Sequence, residues 1–385
     1  MQKRPSFVTI FTATENFHLV KDVGQIPYFM YKTGGYDARL VSYRNGSEYP
    51  FLNKEVKGLK LEFIADKGKL WGIELAVLGY LIRNAKDIDV LNLFHFQRAH
   101  ALYLFIYKLL NPKGKTYIKL DIDIQFFRNY NSFFFSNFNL KNRLLKILAN
   151  YIIMRCDYFS VETDDAKNHL IKVYPKLKNK LICIPNGVDG EYIKSEADPE
   201  EFAKKENIII TVGRIGTEQK NTALLLGAIA QIELDNWKVY ILGNIEPAFH
   251  EYIDSYFNQF PHLREKVFFT GNISDRKELF EWYKRSKIFC LSSRYEGFPI
   301  TFPEALYFGN YIITTPVSSA EQITANGAYG CIVNQDPGEY ARAVQEAISP
   351  GFLNENRYKS TLKYAQNHYD WKFIIPELIK TIQRA

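Results

Sequence analysis

Short β-rich runs alternate with helical stretches along this chain, and the alternation runs through twice. Such alternation commits a chain to parallel strands joined by crossover helices. The first series of strands reads 7–12, 38–42, 59–64, 89–95, 116–121, 158–162 and 181–185, with helices expected over 70–83, 99–110 and 141–154. The alternation restarts at Asn207 with strands 208–212, 238–242, 267–269 and 288–291, and helices from Thr222 and after Ser274. Helical patterns near 338–348, 354–367 and 373–383 close the chain.

At 385 residues the chain exceeds the size at which one core keeps growing, so two domains are expected. Residues 191–206 are polar, charged and carry one proline, as an interdomain linker does. The reading is α/β: two Rossmann-like doubly wound domains, 1–190 and 207–367, joined by the linker 191–206. Residues 368–385 are left as a C-terminal helix. In open parallel sheets ligands sit beyond the carboxyl ends of the strands, so the residues just after strands are where chemistry is sought.

Charge is unevenly placed. Residues 1–190 hold 28 Lys and Arg against 17 Asp and Glu, whereas residues 191–385 hold 21 against 25. The first half is therefore expected to meet an anionic partner: membrane surface, phosphorylated substrate and nucleic acid all qualify on charge alone. No nucleic-acid-binding motif accompanies the charge, so nucleic acid is not expected. Cys156, Cys183, Cys290 and Cys331 have no paired spacing and sit in or beside apolar stretches, which suits buried thiols in a reducing cytoplasm. No run approaches the roughly 20 apolar residues of a membrane span. The start, MQKRPSFVTIFTATEN, is too briefly apolar for a signal peptide.

Two segments after strands carry the chemistry. Ser292-Ser293-Arg294-Tyr295-Glu296-Gly297-Phe298-Pro299-Ile300-Thr301-Phe302-Pro303-Glu304 follows strand 288–291 and enters a helix. Gly297 lets backbone approach a ligand, and the N–H groups of Ile300 and Thr301 at a helix start suit an anion. Glu296 and Glu304 are poor partners for phosphate but good acceptors from hydroxyls. A solvated loop carboxylate and a helix-start carboxylate are the plain alternative. The other segment, Gly213-Arg214-Ile215-Gly216-Thr217-Glu218-Gln219-Lys220, follows strand 208–212. Its glycines and two cations read as a diphosphate clamp, although the spacing fits neither a Walker loop nor G-x-G-x-x-G.

The pair "VGRIGTEQKN" and "SSRYEGFPITFPEAL", supported by "PNGVD", "FTGNIS" and "GNYIITTPVSSAEQI", resembles glycosyltransferase family 4 of the GT-B-fold enzymes. The resemblance covers the second half well and the first half loosely. It implies a retaining glycosyltransferase of hexosyltransferase type that moves a sugar from a UDP- or GDP-sugar to a glycan or lipid-linked acceptor in cell-surface polysaccharide synthesis. The implied enzyme is metal-independent, with no cofactor, and cytoplasmic or peripheral on the inner membrane face. Arg214 and Lys220 would bind the diphosphate and stabilise the leaving group, Glu296 and the amides of Gly297 and Phe298 would meet the sugar, and Ile300 and Thr301 the phosphate. Glu304 would bind the ribose, Asn272 and Ile273 would edge the base, and the C-terminal helix within 368–385 would pack back on the N-terminal domain. A GT-B epimerase or phosphorylase, and a non-catalytic sugar-nucleotide-binding subunit, are the alternatives.

On the acceptor side the match thins. Gly24 is the nearest candidate for a glycine loop after the first strand; Gly34-Gly35 reads better as a helix end. His95 ends strand 89–95, either packed or lining a cleft. Asp121 stands where many family members carry a histidine, as base, acceptor-orienting group, or structural partner of Lys119 or Arg128. Asp121 and Asp123 together resemble the metal-binding D-x-D of another glycosyltransferase fold, a reading set aside for want of further ligands. Residues 126–154 combine an aromatic cluster with a helix placing Leu144, Leu145, Leu148 and Ile152 near one face and Lys141, Arg143 and Lys146 between. Core packing and docking on an anionic membrane are both open.

Overall fold

The computed structural model describes residues 3–122 and 140–383. Asp123, Arg128 and the aromatic cluster within 126–139 lie outside the described residues. The chain divides into two compact units, residues 1–186 with 371–385, and residues 187–370.

The first unit runs β1 (Ser6–Ile10), α1 (Asp22–Lys32), β2 (Asp37–Ser42), β3 (Lys60–Phe63), β4 (Lys69–Leu70), β5 (Ile73–Glu74), α2 (Leu75–Asn84), β6 (Val90–Phe94), α3 (His100–Leu110) and β7 (Lys115–Lys119). It continues with α4 (Leu140–Arg155), β8 (Tyr158–Val161), α5 (Asp164–Val173) and β9 (Leu181–Cys183). Seven parallel strands stand in the order β3-β2-β1-β6-β7-β8-β9. Neighbouring residues of a strand face opposite ways, so Val8, Leu91, Ile118 and Phe159 enter one core and Phe7, Val90, Tyr117 and Tyr158 the other. The first core is covered by α2, α3 and α4, the second by α1 and a C-terminal helix, Trp371–Gln383. That helix buries Trp371, Ile374, Ile375, Leu378 and Ile382.

The helix expected over 70–83 begins only at Leu75. Residues 69–74 are an antiparallel hairpin whose tip, Trp71 (φ 51) and Gly72 (φ 83), turns through two left-handed residues. Turns of that hand match the twist of a two-residue hairpin, and glycine at the second position makes the turn cheap.

The second unit runs α6 (Gly190–Glu196), β10 (Ile208–Val212), α7 (Thr222–Ile229), β11 (Lys238–Leu242), α8 (His250–Gln259), β12 (Val267–Gly271), α9 (Arg276–Arg285) and β13 (Ile288–Leu291). Then follow α10 (Thr301–Tyr307), β14 (Tyr311–Thr314), α11 (Ala320–Thr324), β15 (Gly330–Ile332), α12 (Pro337–Ala347) and α13 (Glu355–His368). Its six parallel strands are ordered β12-β11-β10-β13-β14-β15, with the order reversing at β10. Residues 191–206, expected as a linker, are instead built into this unit. Asp189 caps α6 by accepting from the amides of Glu191 and Tyr192, and Ile193 is buried. The buried Lys205 amine donates to the carbonyls of Tyr283 and Ser286. Most of the other polar side chains of this stretch are exposed, so its composition resembles that of a linker although Ile193, Ala197 and Lys205 anchor it.

Candidate functional site

In the second unit the strand order reverses between β10 and β13, where a ligand crevice is expected. β10 gives way to Gly213, beside which Gly243 has φ 141; a Cβ on Gly243 would lie 1.8 Å from the Gly213 carbonyl. The loop then turns at Gly216 (φ 86), whose amide donates to Thr222 Oγ1 at 3.1 Å. Lys220 folds back across Gly213, so that a Cβ there would sit 3.1 Å from the lysine Cε. Glycine at 213 is thus what lets the lysine lie flat. Arg214 is exposed and donates through Nη2 to Gln219 Oε1 at 2.6 Å.

The loop after β13 meets this one. Lys220 Nζ donates to Glu296 Oε1 at 2.6 Å, and Ser293 Oγ donates to the same oxygen at 3.0 Å. Ser292 Oγ donates to the Lys220 carbonyl, and the Arg294 amide to the Gln219 carbonyl. Both ionised side chains are largely shielded, at 17% exposure for Lys220 and 11% for Glu296, which favours a short charge-assisted bond. Sequence singled out each loop; the structure brings them into one constellation. Phe298 is buried and packs on Tyr369, so its side chain belongs to the core and only its backbone is left for a ligand. Ile300 caps α10 and Thr301 opens it; Thr301 Oγ1 is buried with no hydrogen-bond partner.

Glu304 stands in the first turn of α10, as expected from sequence, and is engaged by protein partners there. It is 1% exposed, and its two oxygens accept from Arg276 Nη1 at 2.5 Å and Tyr283 OH at 3.0 Å. Burial, then the adjacent Glu304 carboxylate, pushes the Tyr283 phenol well up. Of this trio Arg276 keeps 11% side-chain exposure and lies over the Phe280 ring. Sequence reasoning missed Arg276 and Tyr283. The available signal was Asp275, which caps α9 and sets Arg276 at its first turn, just past Asn272 and Ile273. Asn272 is exposed and Ile273 packs partly into the core.

In the first unit the carboxyl edge of the sheet carries a charged network. Lys119, fully buried at the end of β7, reaches Glu162 at 3.1 Å and Asp22 at 3.8 Å. Glu162 also accepts from Asn186 Nδ2 at 3.0 Å. Burial pushes Glu162 well up and Asp22 up, and these two acids hold the Lys119 ammonium charged against its own desolvation. One lysine charge between two acids is met by keeping a proton on the acids. Asp121 is exposed two residues past β7, and the partner suggested for it, Lys119, belongs to Glu162 and Asp22. His95 has φ 63, donates its amide to the Lys119 carbonyl, and packs edge-on to Phe11. Gly24 lies within α1 with its amide bonded to the Lys21 carbonyl, and a Cβ there would sit 2.3 Å from the Leu19 carbonyl. Glycine here lets the Leu19 backbone pass close to the first turn of α1.

Both sheets have the Rossmann-like strand order, and two solved structures share the fold. A sucrose-phosphate synthase from Thermosynechococcus elongatus superposes with a TM-score of 0.71 over 98% of each chain, at 16% identity. HepE from Anabaena, in complex with UDP and glucose, gives a TM-score of 0.71 over 99% of this chain and 100% of its own, at 13% identity. The fold is GT-B. Residues 193–368 of this GT-B chain match the family model described as glycosyl transferases group 1. The amylovoran biosynthesis glycosyltransferase AmsD of Erwinia amylovora is 27% identical over 190 residues, covering 43% of this chain and 51% of AmsD. The chain thus spans about half the length of the curated relatives it matches.

Proposed function

We propose that this GT-B chain is a retaining glycosyltransferase of hexosyltransferase type. It moves a sugar from a UDP- or GDP-sugar to a glycan or lipid-linked acceptor in cell-surface polysaccharide synthesis. The observation that carries the reading is the Lys220–Glu296 contact at 2.6 Å, with Ser293 on the same carboxylate oxygen. A cation for a diphosphate and a carboxylate for sugar hydroxyls are held side by side at the reversal point of the sheet. HepE binding UDP and glucose in the same fold supports a nucleotide-sugar donor, and the AmsD likeness supports a polysaccharide product.

Lys220 and Arg214 would neutralise charge growing on the departing nucleotide, an electrostatic role worth about 3–4 kcal/mol per donor group removed. Thr301 Oγ1, buried without a partner, is suited to a phosphate oxygen at the start of α10. Glu304 would meet the ribose hydroxyls, with Arg276 and Tyr283 orienting its carboxylate. In the first unit Asp121 and His95 stand for acceptor contacts. The reading needs no divalent ion, because two side-chain cations serve the diphosphate. Transfer measured with excess EDTA should therefore equal that without it.

Donor hydrolysis across UDP-, GDP- and ADP-sugars tests the reading and names the base. Lys220→Ala and Glu296→Ala should each lower turnover by about 100-fold or more with thermal unfolding unchanged. Near-native turnover in either variant overturns the assignment.

A further inference from the structure

A groove of about 360 Å³ separates α2 from β3, the last strand on one side of the first sheet. It extends from Ala76, in the first turn of α2, to Asn84 at the helix end, about 12 Å by the rise of a helix. That volume is in the range of small-molecule sites and has room for roughly two sugar rings. Glu62 and Tyr80 form a polar wall, the phenol donating to Glu62 Oε2 at 3.2 Å, and Lys67 and Arg83 are exposed cations at the rim. Val41 of β2 pairs with Glu62, so Arg39 and Tyr43, two positions to either side of Val41, share the face of the sheet that carries Glu62. Arg39 Nε lies 3.6 Å from Glu62 Oε2, too far for a hydrogen bond. It and Tyr43 OH are both buried without a hydrogen-bond partner. Buried donors that lack acceptors are uncommon in a folded chain, and an oxygen-rich ligand would satisfy them.

Lys67 and Ala76 both line the groove, and the hairpin of β4 and β5 is the chain between them. Glu74 fixes the base of the hairpin, accepting from Thr12 Oγ1 at 3.1 Å and pairing with Lys69 Nζ at 2.8 Å, while its amide donates to Tyr103 OH. The tip holds Trp71 at 92% exposure with φ 51. A side chain so exposed adds nothing to a core. The left-handed region disfavours a bulky residue, and asparagine or aspartate suits this turn position better. Neither packing nor turn geometry accounts for an indole there. A free indole face beside a polar groove suits a sugar. The face is negative, the C–H groups on one side of a pyranose are positive, and its hydroxyls bond to carboxylate and amide groups. Two cations, Lys67 and Arg83, stand against one carboxylate already bonded to a phenol, which selects a sugar carrying a carboxylate.

We propose that the groove between β3 and α2, with Trp71 at its rim, is a second saccharide site that holds an acidic sugar of the acceptor away from the reacting end. Strands β3 and β7 are four intervals apart in the sheet, about 19 Å, so a glycan of roughly four sugars reaches from the groove to Asp121. The acceptor class is then an acidic oligosaccharide of at least that length, not a single lipid-linked sugar. The inference deepens the glycan-acceptor reading and rests on it. Saccharide is titrated without donor, and donor hydrolysis is measured without saccharide, so the two readings fail separately.

The test is calorimetric titration of the whole chain with a hyaluronan tetrasaccharide, which alternates glucuronate with N-acetylglucosamine, and with chitotetraose, neutral at the same length. The acidic tetrasaccharide should bind about fivefold more tightly. Trp71→Asn suits the turn better than the native residue, so the unfolding temperature should not fall. Its binding of the acidic tetrasaccharide should weaken about tenfold. Trp71→Phe keeps an aromatic face and should lose less than about threefold. Arg83→Gln should bring the two tetrasaccharides within about twofold of each other. Donor hydrolysis should be unchanged in all three variants. A native chain that binds neither tetrasaccharide, or shows no preference for the acidic one, overturns the proposal. So does saccharide binding that Trp71→Asn leaves undiminished, including the case in which that variant loses binding only to phosphatidylglycerol vesicles.

Discussion

Lys220 and Glu296 show how far single residues were legible. Two cations after one strand and two carboxylates eight positions apart after another named a diphosphate and its hydroxyl-bearing flanks. Pairing across 76 positions was invisible, because it depends on parallel strands lying side by side. The surroundings of Glu304 were hidden for the same reason. Its buried partners Arg276 and Tyr283 come from a helix 28 and 21 residues upstream, and sequence offered no sign that both oxygens were engaged. Buried titratable groups carry their own prediction. His100 opens α3 at 4% exposure, with Nδ1 unpartnered, and burial chiefly pushes it from 6.5 down to about 3, with His95 adding to the effect. A lowered folded pKa means the unfolded chain binds the proton first. Stability is then full above 6.5 and lost as pH falls toward 3. From pH 7 to 5 this histidine should remove about 2 kcal/mol. Urea unfolding at both pH values should show His100→Gln losing about 2 kcal/mol less than the native chain over that interval. An unchanged difference would show that His100 titrates normally.

Elements were legible where burial imposes a period, and illegible where local hydrogen bonding decided. The buried parallel strands read as β-rich runs, since both faces of each sheet are covered. The hairpin at 69–74 was taken for helix because Leu70, Ile73, Leu75 and Val77 continue an apolar pattern that only the Trp71-Gly72 turn interrupts. The 191–206 stretch reads as a linker because most of its polar side chains are solvated, and only Ile193, Ala197 and Lys205 are buried. The C-terminal helix completes one of the two cores of the first unit. It supplies Trp371, fully buried and 6.5 Å between ring centroids from Phe29. Ile379 lies against Gly34, where a Cβ would come within 3.0 Å of its Cδ1. Trp371→Ala should cost about 3–5 kcal/mol, the range for emptying a large aromatic site. Thermal unfolding followed by near-ultraviolet circular dichroism would register this. A loss well under about 1 kcal/mol would mean that the helix contributes little to the core.

At the scale of the molecule, the path of the chain separates support from chemistry. It leaves the first unit after Asn186 and returns at Trp371, so the second unit is an insertion between the sheet and the last helix of the first. Entry and exit of the second unit are adjacent: the Val188 amide donates to the Tyr369 carbonyl at 2.8 Å, and Val188 bridges to Asp370. Gly190 fits there because a Cβ would lie 2.4 Å from Asp370 Oδ2 and 2.2 Å from Tyr307 OH. The unit therefore closes on itself, with two cores of its own and every residue proposed for the donor. Residues 187–370 alone should fold and bind UDP or GDP within about tenfold of the whole chain's affinity, because no donor-directed group is left behind. They should not transfer sugar, since Asp121 and His95 are absent. Residues 1–186 alone should fail to fold cooperatively, lacking the helix that covers one face of their sheet. Calorimetric titration of the second unit with each nucleotide decides the matter. If a folded 187–370 bound neither, the donor would need groups from the first unit, and the assignment of Arg214, Lys220 and Glu296 as a sufficient clamp would fall.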